Sequence, residues 1–66
     1  MKKVFMIFAR EDVEKGSYEA YISKKFSTPE VAHDYIKNVL EVEDKEQGIY
    51  EPDYYTVEDM TKYFQK

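Results

Sequence analysis

Apolar and polar positions along the chain predict two strands, then a helix, then a third strand. Six apolar residues in a row stand near the start, from Val4 to Ala9. A strand with one wet face alternates apolar and polar residues, so this unbroken run predicts a strand over residues 2–10 that is covered on both faces. A charged loop over residues 11–17 follows. Residues 18–26 then alternate and predict a second strand, antiparallel to the first.

The segment that follows the second strand predicts the start of a helix. Ser27 suits the N-cap and Glu30 the third helical position, which makes a capping box, and Pro29 suits the first turn. Apolar residues then recur on one stripe at three- and four-residue steps: Val31, Ala32, Tyr35, Ile36, Val39 and Leu40. The helix is expected to run to about residue 44 or 45, with Gly48 as the stop.

Residues 54–61 predict a third strand, because they begin with aromatic and β-branched residues. The same segment also allows a capped helix start at Thr56, with Val57, Met60 and Phe64 at helical spacing. The strand is preferred, because a two-stranded hairpin alone would be marginally stable.

These elements predict one α+β domain over residues 1–66, with ββαβ order. A right-handed crossover gives a three-stranded antiparallel sheet of order 2-1-3, with one helix packed on one face. The central position of the first strand agrees with its unbroken apolar run. The helix covers one face of that strand and nothing in the pattern covers the other. A homodimer is therefore expected.

The register of the first two strands decides which side chains the dimer would cover. If Phe8 pairs with Tyr18, Met6 and Phe8 face the helix. The opposite face then carries Phe5, Ile7, Ala9 and Tyr21. A one-residue slip swaps the two sets. With the first register, Phe5→Glu or Ile7→Glu is expected to disrupt assembly more than folding.

Composition narrows the classes of partner. The chain has 14 acidic and 10 basic residues, a net charge of −4, and Arg10 as its only arginine. Direct nucleic-acid binding is disfavoured, because it needs a basic face. The chain has no cysteine, which suits the cytoplasm, and no apolar run long enough to enter a membrane. No cofactor or metal is expected.

Acidic and aromatic clusters are the candidate interaction features. The acidic helix end, with Glu41, Glu43 and Asp44, either imitates phosphates towards a basic partner or is a solvated face. The C-terminal tyrosines could stack nucleobases, but such platforms usually come with arginine and lysine, which are sparse here. Packing on the sheet or an aromatic protein interface is therefore favoured. The candidate interaction residues are Phe5, Ile7, Tyr21, Tyr54, Glu41, Glu43 and Asp44. No residues form a catalytic set, so an enzyme is the least favoured class.

A pattern across most of the chain is formed by Lys3–Phe8, Gly16–Tyr18, Phe26–Glu30 with Ala32 and Tyr35, and Tyr54–Glu58. In this pattern the chain resembles a loose group of small phage, prophage and bacterial proteins. The resemblance implies a compact ββαβ fold and a phage-like context, in which small acidic proteins often bind and inhibit host factors, including defence proteins.

The expected function is therefore that of a non-enzymatic interaction protein, such as a phage-encoded inhibitor of a host protein. It would act through an exposed sheet face or an acidic surface. The alternative is a small-ligand or nucleotide-binding protein, with Arg10 and the tyrosines around a pocket at a homodimer interface.

Overall fold

The computed structural model describes residues 2–17 and 21–64 of the chain. In order, the elements are strand β1 (Phe5–Ala9), helix α1 (Arg10–Glu14), helix α2 (Pro29–Tyr35), a π-helical turn (Ile36–Leu40), helix α3 (Glu41–Gln47), strand β2 (Tyr55–Asp59) and a 3-10 turn (Thr61–Phe64). Helix α2, the π-helical turn and α3 follow without a break and are called the long helix, residues 29–47. Within the described ranges, no helix has the length and apolar character needed to cross a membrane.

Across residues 2–17 and 21–64 the sheet has two strands, so the predicted three-stranded sheet is wrong. β1 and β2 pair antiparallel, with Ile7 opposite Val57. The segment predicted as the second strand makes one bridge, between Phe26 and Phe5, and one further bond, in which the Tyr21 N–H donates to the Ile7 carbonyl at 2.9 Å. Between these two contacts residues 23–25 are exposed and polar, so they bury little apolar surface to hold them on β1. Residues 18–20 of the predicted strand lie outside the described residues.

The side chain of Ile7 faces the long helix, which reverses the predicted orientation of β1. Ile7 is fully buried, in a cluster with Phe26, Ala32, Ile36, Leu40 and Tyr55. The predicted register paired Phe8 with Tyr18, whereas the observed bridge pairs Phe5 with Phe26. The two registers differ by an odd number of residues, and an odd slip turns every side chain of a strand to the opposite face.

Both faces of β1 are buried within a single chain. Met6 and Phe8 alternate with Ile7 and so lie on the face away from the long helix. They are 7% and 1% exposed. The prediction that one face of β1 is uncovered is therefore wrong. The homodimer stays a prediction, and an uncovered face of β1 no longer supports it.

The π-helical turn aligns the buried residues of the long helix. Four residues overshoot one α-helical turn by about 40°, so residues spaced by four drift around an α-helix. A π-helical turn is wider and removes part of this drift. Ala32, Ile36 and Leu40 consequently all stay buried against the sheet. The next four-residue step leads to Asp44, which the same alignment directs towards β2.

The long helix begins and ends at two sharply defined residues. Its N-cap is Thr28, whose Oγ1 accepts a hydrogen bond from the Val31 N–H at 3.2 Å. The predicted cap at Ser27 is wrong by one residue, because Pro29 occupies the first helical position and holds the residue before it extended. Gly48 ends the helix with a φ of 73°, which confirms the predicted stop.

Thr28→Ala is expected to lower the free energy of unfolding by about 1 kcal/mol, because it removes the oxygen that caps the Val31 N–H. Urea unfolding followed by circular dichroism measures this change. Ser27→Ala is the matched control and should change stability by only a few tenths of that amount. Equal losses in the two variants would show that the helix is not capped by Thr28.

Candidate functional site

One cleft of about 320 Å³ collects carboxylates and tyrosine rings from distant parts of the chain. We call it the acidic tyrosine cleft and define it by its lining residues, Glu11, Tyr21, Asp44, Glu51, Tyr54 and Tyr55 with the apolar Ile49. These residues come from α1, the segment before the long helix, α3, the loop after it and β2. The cleft therefore exists only when the whole chain is folded.

Tyr55 is the buried base of the cleft. Its hydroxyl donates a hydrogen bond to Asp44 Oδ2 at 2.6 Å, which ties β2 to α3. Burial raises the pKa of the Tyr55 phenol far above its ordinary value, and the hydrogen bond to Asp44 raises it further. The phenol therefore keeps its proton throughout the physiological range, and Tyr55 holds Asp44 in place as a neutral donor.

Two further tyrosine rings pack edge-to-face on Tyr55. The ring centroids of Tyr21 and Tyr54 each lie 5.1 Å from that of Tyr55, at interplanar angles of 66° and 85°. Such geometry is favourable between aromatic rings and fixes their orientation. Tyr54 is half-buried, and its pKa is raised by burial and then by the charge of Glu11. Tyr21 is exposed, so its ring is available to a partner.

Helix α1 places Glu11 at the rim, although residues 11–17 were predicted to be a loop. The helix is supported by an i,i+4 ion pair in which Lys15 Nζ lies 2.9 Å from Glu11 Oε1, and Arg10 and Glu14 form another at 3.8 Å. The hydrogen bond from Lys15 lowers the pKa of Glu11, so this carboxylate stays charged at neutral pH.

Arg10 bonds to two residues that line the cleft. Its guanidinium donates to Glu51 Oε1 at 2.6 Å, and its backbone N–H donates to the Tyr54 carbonyl. Both side chains of the ion pair are about half exposed, at 41% and 54%. Exposed ion pairs contribute little to stability, so a partner's cation can compete with Arg10 for Glu51.

The structure gathers three of the predicted interaction residues and separates the other four. Tyr21, Tyr54 and Asp44 line the acidic tyrosine cleft. Phe5 and Ile7 belong to the core or pack against it, so neither forms an exposed sheet face. Glu41 lines a different depression with His33 and Asp53, and Glu43 is exposed on the long helix.

Sequence reasoning missed four residues of the cleft: Glu11, Ile49, Glu51 and Tyr55. Tyr55 had a signal, because it is adjacent to Tyr54 in a β-rich tetrapeptide. Glu11 and Glu51 had none, because their proximity depends on where α1 and the loop before β2 meet. Across residues 2–17 and 21–64, no three histidine or acidic side chains are placed to hold a metal ion.

A second, less acidic surface runs along a partly buried row of the long helix. Val31, Tyr35 and Val39 line a shallow groove there. Lys24 Nζ lies 4.8 Å from the centroid of the Tyr35 ring, a cation–π contact within the chain. The groove thus carries its own cation and differs in charge from the acidic tyrosine cleft.

Comparisons with protein-family models, curated proteins and solved structures give no match. The structure itself defines the class, a small α+β fold with a two-stranded antiparallel sheet and one long helix. Its function must therefore be argued from the cleft.

Tyr55→Phe is expected to lower the free energy of unfolding at neutral pH by about 2 kcal/mol, because Asp44 loses the hydroxyl that it accepts from. Chemical unfolding measures this loss. Tyr50→Phe is the matched control, because Tyr50 is exposed. A loss no larger than that of the control would contradict a stabilising bond between Tyr55 and Asp44.

The stability gap between wild type and Tyr55→Phe is also expected to narrow at alkaline pH. The folded pKa of Tyr55 is raised above its ordinary value of 10.0, so its contribution is fully present below pH 10 and is lost above it, as the unfolded chain ionises. The wild type should lose up to about 1.4 kcal/mol per pH unit through this one group, and the phenylalanine variant should not. A gap that is constant from pH 9 to about pH 11 would contradict the raised pKa.

Proposed function

We propose that this protein is a non-enzymatic interaction protein that holds a basic side chain of a protein partner in the acidic tyrosine cleft. The observation that carries the proposal is the lining of one cleft by carboxylates and tyrosine rings. Carboxylates form charge-assisted hydrogen bonds with guanidinium and ammonium groups, and aromatic faces attract the same cations. An arginine or lysine side chain is the ligand that satisfies both.

The charges around the cleft support a basic partner. Glu11, Asp44 and Glu51 line it, and two of these carboxylates form ion pairs with the exposed cations Lys15 and Arg10. A partner's arginine can replace these exposed contacts at small cost. The net charge of −4 adds long-range attraction for a basic surface.

The same charges argue against the nucleotide-binding alternative. Phosphate groups need cationic or N–H donors, whereas the charged side chains that line the cleft are the three carboxylates of Glu11, Asp44 and Glu51. The tyrosines that would stack a base stand beside carboxylates, which repel its phosphates.

The proposal has further parts. The partner is a host protein, including a defence protein, if the chain acts as the phage-like inhibitor that its resemblance implies. The site of action is the cytoplasm, supported by a chain without cysteine. A homodimer belongs to the same proposal. The homodimer interface need not include the cleft, because residues of one chain line the cleft.

Affinity capture from a bacterial lysate tests the basic partner. Three tagged proteins are compared: wild type, Glu11→Gln/Glu51→Gln in the cleft, and Glu43→Gln/Glu46→Gln on the exposed helix surface. The two variants lose the same charge, so non-specific attraction falls equally in both.

We expect the wild type and the helix variant to retain the same basic protein, which elutes as salt is raised. The cleft variant should not retain it. Equal capture by all three proteins, or equal loss in both variants, would exclude the cleft as the binding site.

A further inference from the structure

β2 is the outer strand of the sheet, and two hydrogen bonds show which way its backbone groups point. The Met60 N–H donates to the Val4 carbonyl at 2.8 Å, and the Arg10 N–H donates to the Tyr54 carbonyl at 2.5 Å. Bonded and non-bonded pairs alternate along an antiparallel ladder. The bonded pairs between these two ends are therefore Met6–Glu58 and Phe8–Thr56.

The remaining residues of β2 direct their backbone groups away from β1. These are Tyr55, Val57 and Asp59. Among residues 2–17 and 21–64, none bonds to the N–H or carbonyl groups of these three. A row of free strand groups is a template for another strand. The opposite edge of β1 differs, because Phe26 and Tyr21 bond to it.

We infer that this edge pairs with the same edge of a second copy, antiparallel about a two-fold axis at Val57. In this register Val57 meets Val57 of the second copy, and Tyr55 meets Asp59 in both directions. Each of the three residues with outward backbone groups then pairs with such a residue of the second copy. Each pair exchanges two backbone hydrogen bonds, which gives about six between the chains. The inference rests on the homodimer of the proposed function and is independent of the basic partner.

The charges on β2 select this register. It sets Glu58 opposite Thr56 and Asp59 opposite Tyr55, so no like charges lie directly across the pair. The neighbouring registers that also match outward residues are less favourable. One places Glu58 opposite Glu58. The other aligns Asp59 with position 53, which lies in the turn before β2, so this register forms fewer hydrogen bonds. Like charges directly opposite are destabilising, so the edge is complementary to itself in one alignment.

Amide hydrogen exchange followed by NMR tests the edge on the intact chain. Exchange is compared between tens of micromolar and millimolar protein. The amides of Tyr55, Val57 and Asp59 should become more protected as concentration rises. The amides of Thr56 and Glu58 serve as internal controls, because they already bond to β1 and should not change.

Two variants at Thr56 test the register. Thr56→Glu places like charges opposite Glu58 twice in each dimer, and Thr56→Lys places opposite charges there twice. The dimer dissociation constant, measured by sedimentation, should rise by roughly 2- to 30-fold in the first variant and fall by a similar factor in the second. Circular dichroism of each variant confirms that it is folded.

Three outcomes would overturn the inference. A monomer at every concentration removes both the edge pairing and the homodimer. A dimer whose edge amides exchange freely leaves the homodimer standing and places it on another surface. Thr56 variants that shift the dissociation constant in the same direction, or not at all, exclude the register about Val57. None of these results bears on capture of a basic partner.

Discussion

Ile7→Glu is expected to leave the protein unfolded at room temperature. Ile7 is fully buried among Ala32, Ile36 and Leu40, where a carboxylate has no hydrogen-bonding partner. Burying an unpaired charge costs several kcal/mol even when the group takes up a proton. A domain of this size has a total stability of only about 3–5 kcal/mol. The far-ultraviolet circular dichroism and the dispersion of the NMR spectrum should both collapse.

Ile49→Glu is the matched control for this substitution. Ile49 is 64% exposed, so the same change of residue type should leave the fold intact. A folded Ile7→Glu protein with altered assembly would contradict the observed orientation of β1. The register predicted from the sequence leads to that opposite result, because it places Ile7 on the face that a second copy would cover.

Phe8→Ala is expected to lower the free energy of unfolding by about 3–5 kcal/mol, which is comparable with the whole stability of the domain. Phe8 is 1% exposed on the face of β1 away from the long helix. Its truncation therefore removes apolar contacts and leaves a cavity. Because the cover of this face lies within one chain, the loss should be the same at low and high protein concentration. Urea unfolding at two concentrations measures it.

Phe64→Ala is the control for Phe8→Ala, since Phe64 is 39% exposed and should contribute much less. A loss at Phe8 that grows with protein concentration would show that a second copy covers this face. A loss no larger than that at Phe64 would show that the far face of β1 contributes little to the core.

The elements with strong local signals could be predicted from the sequence, and those set by a single long-range contact could not. The apolar run of β1, the aromatic segment of β2 and the stop at Gly48 are all local features. The prediction of a second strand was wrong because alternation alone does not hold a segment on a sheet. Residues 23–25 are polar and exposed, so they add little apolar contact with β1. The predicted orientation of β1 was wrong because the register decides which of its side chains face the long helix. That register shows in one bridge, between Phe5 and Phe26.

The candidate site was predicted in part for the same reason. Asp44 was selected as part of an acidic helix end, together with Glu41 and Glu43, although only Asp44 reaches the cleft. The π-helical turn, which has no signal in the sequence, aligns Asp44 with the buried row of the long helix and so with Tyr55. The three acidic residues therefore point to different surfaces, a difference that composition does not show.

The central claim is that the acidic tyrosine cleft binds a basic side chain, and an NMR titration with N-acetyl-arginine amide tests it most directly. N-acetyl-alanine amide is the uncharged control ligand. We predict shifts at Tyr21, Asp44 and Tyr54 with the arginine ligand alone, which are lost in Glu11→Gln/Glu51→Gln. Shifts that map to the groove of Val31 and Tyr35, or that are equal with both ligands, would contradict the claim.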